Sequence, residues 1–217
     1  MIFTVIFERM LKVTDMPKAG FLCAGKTPLA LSGSVFCAYK MMDILNEYGF
    51  VTGACHTEIT EPFTSTVTKR AQKTLEHICV CCELVITVGC DGFAVSDIMP
   101  DITEAVCKKK AAYFSTVLCG AKPIAAPGVT AQQNPFQSSP LPPSRAVSGI
   151  CGNTLVLNFP CNTSYSTSLL SALLPAIGFA VYNLTGKSAR NNAEFKNFLN
   201  SSLDFHEVFK KKYIVNN

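Results

Sequence analysis

Apolar runs of strand length alternate along the chain with segments in which apolar residues recur every three or four positions. Two of these runs, ELVITVGC and TLVLNFP, have no polar face, which is typical of central strands in a parallel sheet. Strands that alternate with helices predict an α/β layer fold with a mostly parallel sheet. The four predicted strands are GFLCAG (20–25), FVTGAC (50–55), ELVITVGC (83–90) and TLVLNFP (154–160).

The segments between these strands carry the start and stop signals of helices. Gly49 and Gly186 are predicted to end the first and the last helix. Pro62 is expected in the first turn of the second helix. The lysine triplet 108–110 is expected in the last turn of the third, where basic residues interact favourably with the helix dipole. The predicted helices cover residues 34–48, 61–82, 98–110 and 166–184.

The chain is predicted to contain one folded domain with an extension at each end. Residues 18–186 form the predicted α/β domain, and residues 1–17 are an N-terminal extension without an assigned role. Six of the twelve prolines fall within 120–143, which predicts a long loop inserted into the domain and outside its core. Residues 187–217 are predicted to form a C-terminal helical extension, because one amphipathic patch lies there (Phe195, Phe198, Leu199, Leu203).

Composition narrows the class of protein. The 217 residues are 48% hydrophobic with a mean hydropathy of +0.27, which suffices for one large core and excludes disorder over the whole length. The net charge of +4 is spread out, and the lysine triplets are expected at helix ends, so no nucleic-acid partner is predicted. No apolar run reaches about 18 residues, so no membrane span is predicted. The N-terminal MIFTVIF is too short for a signal sequence, and a cytoplasmic protein is expected.

Eleven cysteines are many for this length, and their number is odd. In a reducing compartment they are expected to behave as small buried hydrophobic residues. The cluster CVCC (79–82) has no second pair at the spacing of a zinc site, and the three histidines lie far apart. No structural metal is therefore predicted.

Two polar loops are expected at the carboxyl edge of the sheet, where ligands bind in folds of this type. The first begins at Gly89, and together with Gly92 it permits a close backbone approach to an anion at the following helix N-terminus. Asp97 either caps that helix or binds a metal or substrate. In the second loop, Asn158 either recognises an adenine or pterin edge or ties loop backbone together. Both pairs of alternatives stay open from the residues alone.

Two sequence blocks resemble the MoaB/Mog family of molybdenum-cofactor biosynthesis, which includes molybdopterin adenylyltransferase and the gephyrin G domain. TVGCDGFAVSDIMPDIT (87–103) is similar to the family pattern T-x-G-G-T-G-F-x-x-R-D-V-T-P-E-A-T. SRAVSGICGNTLVLNFPC (144–161) is similar to S-R-x-x-x-G-I-R-G-x-T-L-I-I-N-L-P-G and is followed by LLSALLPAIGFAVYNLTG (169–186), which contains the family's L-L-P-A. The resemblance extends over roughly residues 18–186.

The resemblance implies a three-layer α/β sandwich with helices on both faces of a mostly parallel sheet. It also implies Mg²⁺-dependent adenylylation of molybdopterin, in which the terminal phosphate of the pterin attacks the α-phosphate of ATP and pyrophosphate leaves. ATP and molybdopterin would be the substrates of a homotrimer. Asp97 and Asp101 match the family's acids and would be catalytic, and Asp97 with Asp91 would hold Mg²⁺. The implied nucleotide- and pterin-binding residues are Gly89, Cys90, Asp91, Gly92, Ser144, Arg145, Asn158, Pro160, Cys161, Ser32 and Gly33.

The chain departs from the family pattern at five positions of the two blocks. Arginines of the family are replaced at Ser96 and Cys151, and Asp91 adds a negative charge that costs a phosphate about 4 kcal/mol at ~4 Å. Only Glu58 or Glu61 remains to replace a further catalytic aspartate of the family. Two hypotheses follow: an active adenylyltransferase, or a relative that lost catalysis and serves as a pterin- or nucleotide-binding or scaffold protein. The five departures are Cys90, Asp91, Ser96, Cys151 and Cys161.

Overall fold

The computed structural model describes residues 16–89, 93–120 and 144–185. They form a single six-stranded sheet with five helices packed on it. In chain order the elements are β1 (Lys18–Gly25), α1 (Pro28–Tyr48), β2 (Val51–Ile59), α2 (Ser65–Cys81), β3 (Leu84–Val88), α3 (Met99–Val106), β4 (Lys109–Lys110), α4 (Ala112–Leu118), β5 (Ser148–Cys151), β6 (Thr154–Phe159) and α5 (Thr163–Thr185).

The strand order across the sheet is β2-β1-β3-β6-β5-β4. Strands β2, β1, β3 and β6 are parallel, whereas β5 is antiparallel to β6 and β4 is antiparallel to β5. The prediction of a mostly parallel sheet is therefore confirmed. The antiparallel edge was not predicted, because β4 and β5 are two and four residues long and carry no periodic pattern.

Helices cover both faces of the sheet, as the three-layer prediction requires. Alternate residues of β1 show the division: Phe21 and Cys23 pack with α1, α4 and α5, and Leu22 and Ala24 pack with α2 and α3. The central strand β3 is buried along its whole length, which explains its run of apolar residues without a polar face.

Capping residues set the ends of the first helix. Thr27 accepts a hydrogen bond from the Ala30 amide at 3.3 Å, and Pro28 follows it, so α1 begins six residues before the predicted start at Ser34. Gly49 ends the helix in the left-handed conformation (φ +102°), which confirms the predicted stop.

Two predicted helix ends are wrong. Pro62 precedes α2, which begins only at Ser65 because the Thr64 hydroxyl accepts from the Val67 amide at 3.2 Å. The lysine triplet 108–110 is not the last turn of α3, which ends at Val106. Two of its lysines form the exposed edge strand β4 instead, and Lys110 contacts Glu104 at 2.7 Å.

Helix α5 is long and apolar enough to cross a membrane by length and composition alone. One of its faces, with Leu169, Leu170, Leu173 and Ile177, packs into the core against the sheet and α1. The prediction of an apolar helix here is confirmed, and its buried face gives the reason for its composition.

Predictions for the N-terminal extension, the proline-rich insertion, the C-terminal helical extension and the stop at Gly186 fall largely or wholly outside the described residues. The domain boundaries therefore stay predictions.

Candidate functional site at the switch point of the sheet

The loops that follow β1, β3 and β6 meet at the carboxyl edge of the sheet. The chain passes from β1 to β2 on one side and then to β3 on the other, which makes this edge the switch point where α/β folds bind ligands. The Gly89 amide donates to the Phe159 carbonyl at 3.3 Å, and the Ser34 hydroxyl of α1 donates to the Ala24 carbonyl at 2.7 Å. Cys161 completes the cluster, with its Sγ 3.4 Å from the Ser34 oxygen.

Only glycine fits at position 89. Its φ is +122°, a conformation that side chains disfavour, and an added Cβ would overlap the Ala24 carbonyl oxygen and the Ser34 hydroxyl. The three loops are packed so closely that the first residue after β3 has no room for a side chain. Gly89 therefore has a packing role at the switch point, and its role in binding a nucleotide or pterin stays a prediction. Cys90, Asp91 and Gly92 lie outside the described residues.

The Asp97 side chain is buried beneath the end of the loop after β3 and binds its backbone. Its Oδ2 accepts hydrogen bonds from the amides of Phe93 and Ala94, at 3.2 and 3.1 Å, and its side chain is only 6% exposed. Ile98 and not Asp97 occupies the cap position of α3, so the helix-cap alternative for Asp97 is wrong. The carboxylate instead fixes the turn before that helix.

Lys26 is a site residue that the sequence interpretation missed. Its Nζ lies 3.4 Å from Asp97 Oδ1, and 42% of its side chain is exposed. The signal in the sequence was its place directly after β1, at the carboxyl edge. Its partner lies 71 positions away, so the pair was not readable from a local pattern.

A cleft of about 400 Å³ opens beside Lys26. The Ser96 hydroxyl donates to Glu61 Oε1 at 3.1 Å, so the serine that replaces a family arginine holds an acid in the cleft. Glu58, the other proposed substitute for the family aspartate, is bound to Arg70 at 2.8 Å and is buried away from this opening. Glu61 is therefore the better placed of the two acids. The lining residues are Lys26, Glu61, Pro62, Phe63, Ala94, Val95 and Ser96.

Asp101 and Arg145 form a bidentate ion pair with distances of 2.8 and 2.7 Å. The hydrogen bonds from Arg145 lower the pKa of the Asp101 carboxyl and raise the pKa of the guanidinium. Both side chains are substantially exposed, so the pair orients Arg145 more than it stabilises the fold.

Asn158 makes three hydrogen bonds inside the protein. Its Oδ1 accepts from the Val147 amide at 3.0 Å, and its Nδ2 donates to the hydroxyls of Thr87 and Thr103 at 2.6 and 2.8 Å. The residue is 2% exposed. Of the two roles left open, the geometry supports the structural one, because the polar atoms of the amide already bind one loop amide and two threonine side chains.

The other proposed binding residues lie around the same edge. Ser144 has a buried hydroxyl oxygen with no hydrogen-bond partner in the described part of the chain. The Pro160 carbonyl accepts from the Ser166 hydroxyl at 2.7 Å. Ser32 is exposed on α1 and donates to the Pro28 carbonyl, and Gly33 faces the Cys161 sulfur. Their roles as ligand-binding residues stay predictions.

Cys151 lies at the opposite edge of the sheet. It pairs with Thr154, the first residue of β6, and lines a separate cleft with Cys79 and Cys82. The six residues of β6 separate the two edges by about 20 Å. Of the two positions at which a family arginine is replaced, only Ser96 therefore lines the cleft at the switch point.

Within residues 16–89, 93–120 and 144–185, no three histidine, cysteine or acidic side chains converge as a complete metal cage. Asp97 Oδ1 nevertheless lies 3.4 Å from Lys26 Nζ, and Glu61 lines the cleft beside Lys26. Such hard donors suit Mg²⁺, which binds through one or two carboxylates together with substrate phosphates and water. These two carboxylates are therefore the candidates in the described residues to hold Mg²⁺ together with a substrate.

Comparison with known proteins agrees with the resemblance of the two sequence blocks to the MoaB/Mog family. No protein-family model matches the chain. Over 111 residues it is 29% identical to a molybdopterin adenylyltransferase of Helicobacter pylori, a match that covers 51% of this chain and spans about half (56%) of that relative.

Solved structures of the MoaB and Mog proteins share the fold. A molybdopterin-biosynthesis MoaB of Thermus thermophilus superposes with a TM-score of 0.59 at 19% identity, covering 79% of this chain and 98% of that one. The Mog protein of Mycobacterium ulcerans has a TM-score of 0.53 at 21% identity, with 77% and 99% covered. The resemblance to the MoaB/Mog family is confirmed.

Proposed function

We propose that this chain, a protein of the MoaB/Mog family by its fold and its two sequence blocks, uses Mg²⁺-ATP to adenylylate molybdopterin. The names of its relatives indicate a general role in molybdenum-cofactor biosynthesis. The specific reaction rests on the arrangement of its own residues at the switch point.

The observation that carries the proposal is the meeting of the two sequence blocks at one edge. Asn158 of the second block binds Thr87 and Thr103, which are the first and last residues of the first block. Arg145 of the second block binds Asp101 of the first. Residues more than 40 positions apart in the chain are thereby held together at one edge of the sheet, and such positioning is what a two-substrate reaction requires.

The loop after β3 supplies the features of a phosphate-binding turn. Gly89 lets the loop after β3 pack against the ends of β1 and β6, and Asp97 holds the turn through the amides of Phe93 and Ala94. Lys26 brings a positive charge that is close to Asp97 and still partly in solvent. A phosphate that enters here would take hydrogen bonds from this ammonium, and Asp97 would keep the lysine in place.

The reaction asks the protein for positioning and charge stabilisation and for no covalent nucleophile. The terminal phosphate of the pterin would attack the α-phosphate of ATP, and pyrophosphate would leave. Lys26 would stabilise the charge that grows on the transferred phosphate, and Arg145, oriented by Asp101, would bind substrate phosphate at the rim. Mg²⁺ bound through Asp97 and Glu61 would neutralise phosphate charge.

A second candidate function is binding without catalysis, as a pterin or nucleotide carrier or a scaffold. Ser96 favours it, because a serine that donates to Glu61 stands where the family pattern has an arginine. Asp91 also favours it, since an added negative charge in the phosphate turn opposes an anion.

The test is to incubate the purified chain with Mg²⁺-ATP and molybdopterin and to measure pyrophosphate and adenylylated pterin. Product formation supports the adenylyltransferase. Binding of ATP or pterin by calorimetry without product supports the second candidate, and absence of both product and binding contradicts the two together. The variant Asp91→Thr then tests the role of Asp91. If the variant binds Mg²⁺ more weakly than the wild type, Asp91 is a metal ligand; if it binds ATP more tightly, Asp91 opposes nucleotide binding in the wild type.

We also propose that the protein is a cytoplasmic homotrimer that acts on small molecules only. Sedimentation velocity on the full chain tests the trimer, and a monomer at micromolar concentration would contradict it.

A further inference from the structure

Two cysteines on neighbouring parallel strands have their sulfur atoms in contact. Cys23 of β1 and Cys55 of β2 lie on the α1 face of the sheet with an Sγ–Sγ distance of 3.5 Å. Both are free thiols, and they stand two register steps apart, since Cys55 is opposite Phe21 and Cys23 is opposite Thr57. Cys23 is fully buried and Cys55 is partly exposed.

Strand β2 is the segment that would have to move for the two sulfur atoms to bond. It is an edge strand, bonded only to β1, and a bulge lies directly before Cys55. Thr52 faces Ala19 and Cys55 faces Phe21, so β2 uses three residues where β1 uses two. A disulfide needs its sulfur atoms at about 2.05 Å and its Cα atoms within about 7 Å, whereas two register steps on adjacent strands separate the Cα atoms by roughly 8 Å. Closing the bond therefore requires the β2 backbone to shift at the bulge.

The two thiols are chemically unequal. Contact with Cys55 and burial both raise the pKa of the Cys23 thiol, whereas the hydrogen bond with Cys23 lowers the pKa of the Cys55 thiol. Cys55, the partly exposed residue of the two, is therefore the one whose thiol ionises and meets an oxidant first.

We propose that Cys23 and Cys55 are a redox-modification site, which a peroxide closes into a disulfide between β1 and β2. The Cys55 thiolate attacks the peroxide oxygen and becomes a sulfenic acid as hydroxide leaves. The Cys23 sulfur then attacks the sulfenic sulfur, the S–S bond forms, and its proton and the hydroxyl leave as water. For hydrogen peroxide, two thiols are oxidised and one peroxide is reduced to two waters.

The disulfide would join the two strands that lead to the cleft at the switch point. Cys23 is three residues before Lys26 on the same strand-and-turn segment, and β2 ends at Ile59, two residues before Glu61. Drawing the two strands together therefore shifts segments that carry two lining residues of the cleft. The inference does not rest on the proposed function, because the cross-link is detected chemically.

The test treats the full reduced chain with one equivalent of hydrogen peroxide, blocks the remaining thiols with N-ethylmaleimide in denaturant, and maps cross-linked peptides by mass spectrometry. A peptide joining Cys23 to Cys55, abolished by dithiothreitol, is expected as the main intramolecular cross-link. Cys55→Ser should leave Cys23 alkylated to the level of the untreated protein. Cys81→Ser, at an exposed position on α2, should leave the cross-link unchanged.

Two results would overturn the proposal. One is a wild-type map in which other cysteines pair while Cys23 and Cys55 both stay alkylated. The other is equal loss of Cys23 alkylation in the wild type and in Cys55→Ser, since Cys23 would then react without its partner. The wild-type map decides the question even when a variant folds poorly.

Discussion

Lys26 Nζ lies 3.4 Å from Asp97 Oδ1 and joins the turn after β1 to the loop after β3. The carboxylate is nearly buried and has two amide donors, whereas almost half of the lysine side chain is exposed. Asp97 is therefore a fixed part of the loop, whereas Lys26 is partly in solvent. We propose from this asymmetry that the Lys26 ammonium contacts an incoming phosphate.

Replacement of Lys26 tests this assignment. Lys26→Met should lower ATP affinity about tenfold, because a charge-assisted hydrogen bond to phosphate contributes roughly 1.5 kcal/mol or more. Isothermal titration calorimetry measures the change. Lys40→Met is the matched control, since Lys40 lies over the Phe36 ring on the exposed face of α1. Equal affinities in Lys26→Met and the wild type would contradict the role of Lys26.

Removal of the Asn158 amide should destabilise the fold. Asn158→Ala leaves the Val147 amide and two threonine hydroxyls without their partner in the core, which costs about 2–4 kcal/mol of the free energy of unfolding. Urea denaturation measures it. Asn183→Ala, at an exposed amide on α5, should stay within about 0.5 kcal/mol of the wild type. A similar small change for Asn158→Ala would show that the three bonds are not a structural tie.

The two glycines Gly89 and Gly53 make a matched pair. Gly89→Ala should cost about 2–4 kcal/mol, because the positive φ and the overlap with Ala24 and Ser34 add together. Gly53→Ala should change stability by less than about 1 kcal/mol, since an added Cβ there meets nothing within 4 Å. Thermal and urea unfolding of both variants check the difference, and equal losses would contradict the packing at the switch point.

The Asp101–Arg145 pair predicts a small pH dependence. Arg145 lowers the pKa of Asp101 in the folded protein below its ordinary value of 3.8. The stabilisation is therefore present above that value and is lost as pH falls through the lowered folded pKa. Because the pair is exposed, Asp101→Asn should cost at most about 1 kcal/mol near neutral pH. The wild type and the variant should converge in urea unfolding at the acid end, and a difference that grows toward low pH would have the wrong sign.

Much of the fold was predictable because its signals are local. The four parallel strands and four of the helices appear as apolar runs and helical periodicity, and Gly49 ends α1 as a helix-stopping glycine does. The short elements β4, α4 and β5 were missed, since segments of two to seven residues have too few positions to show a period. The lysine triplet was misassigned because a basic run is equally compatible with a helix end and with an exposed edge strand.

The sequence by itself determined the α/β class, the two blocks that resemble the MoaB/Mog family and the edge of the sheet at which a ligand is expected. These depend on residue order and periodicity, which are properties of the chain. Only the tertiary structure paired Lys26 with Asp97, gave Asn158 three internal partners and moved Cys151 to the far edge. It also brought the sulfur atoms of Cys23 and Cys55 into contact. Each of these relationships is between residues that are far apart in the chain. Their separation in space is set by the strand order and register of the sheet, which no local sequence pattern specifies.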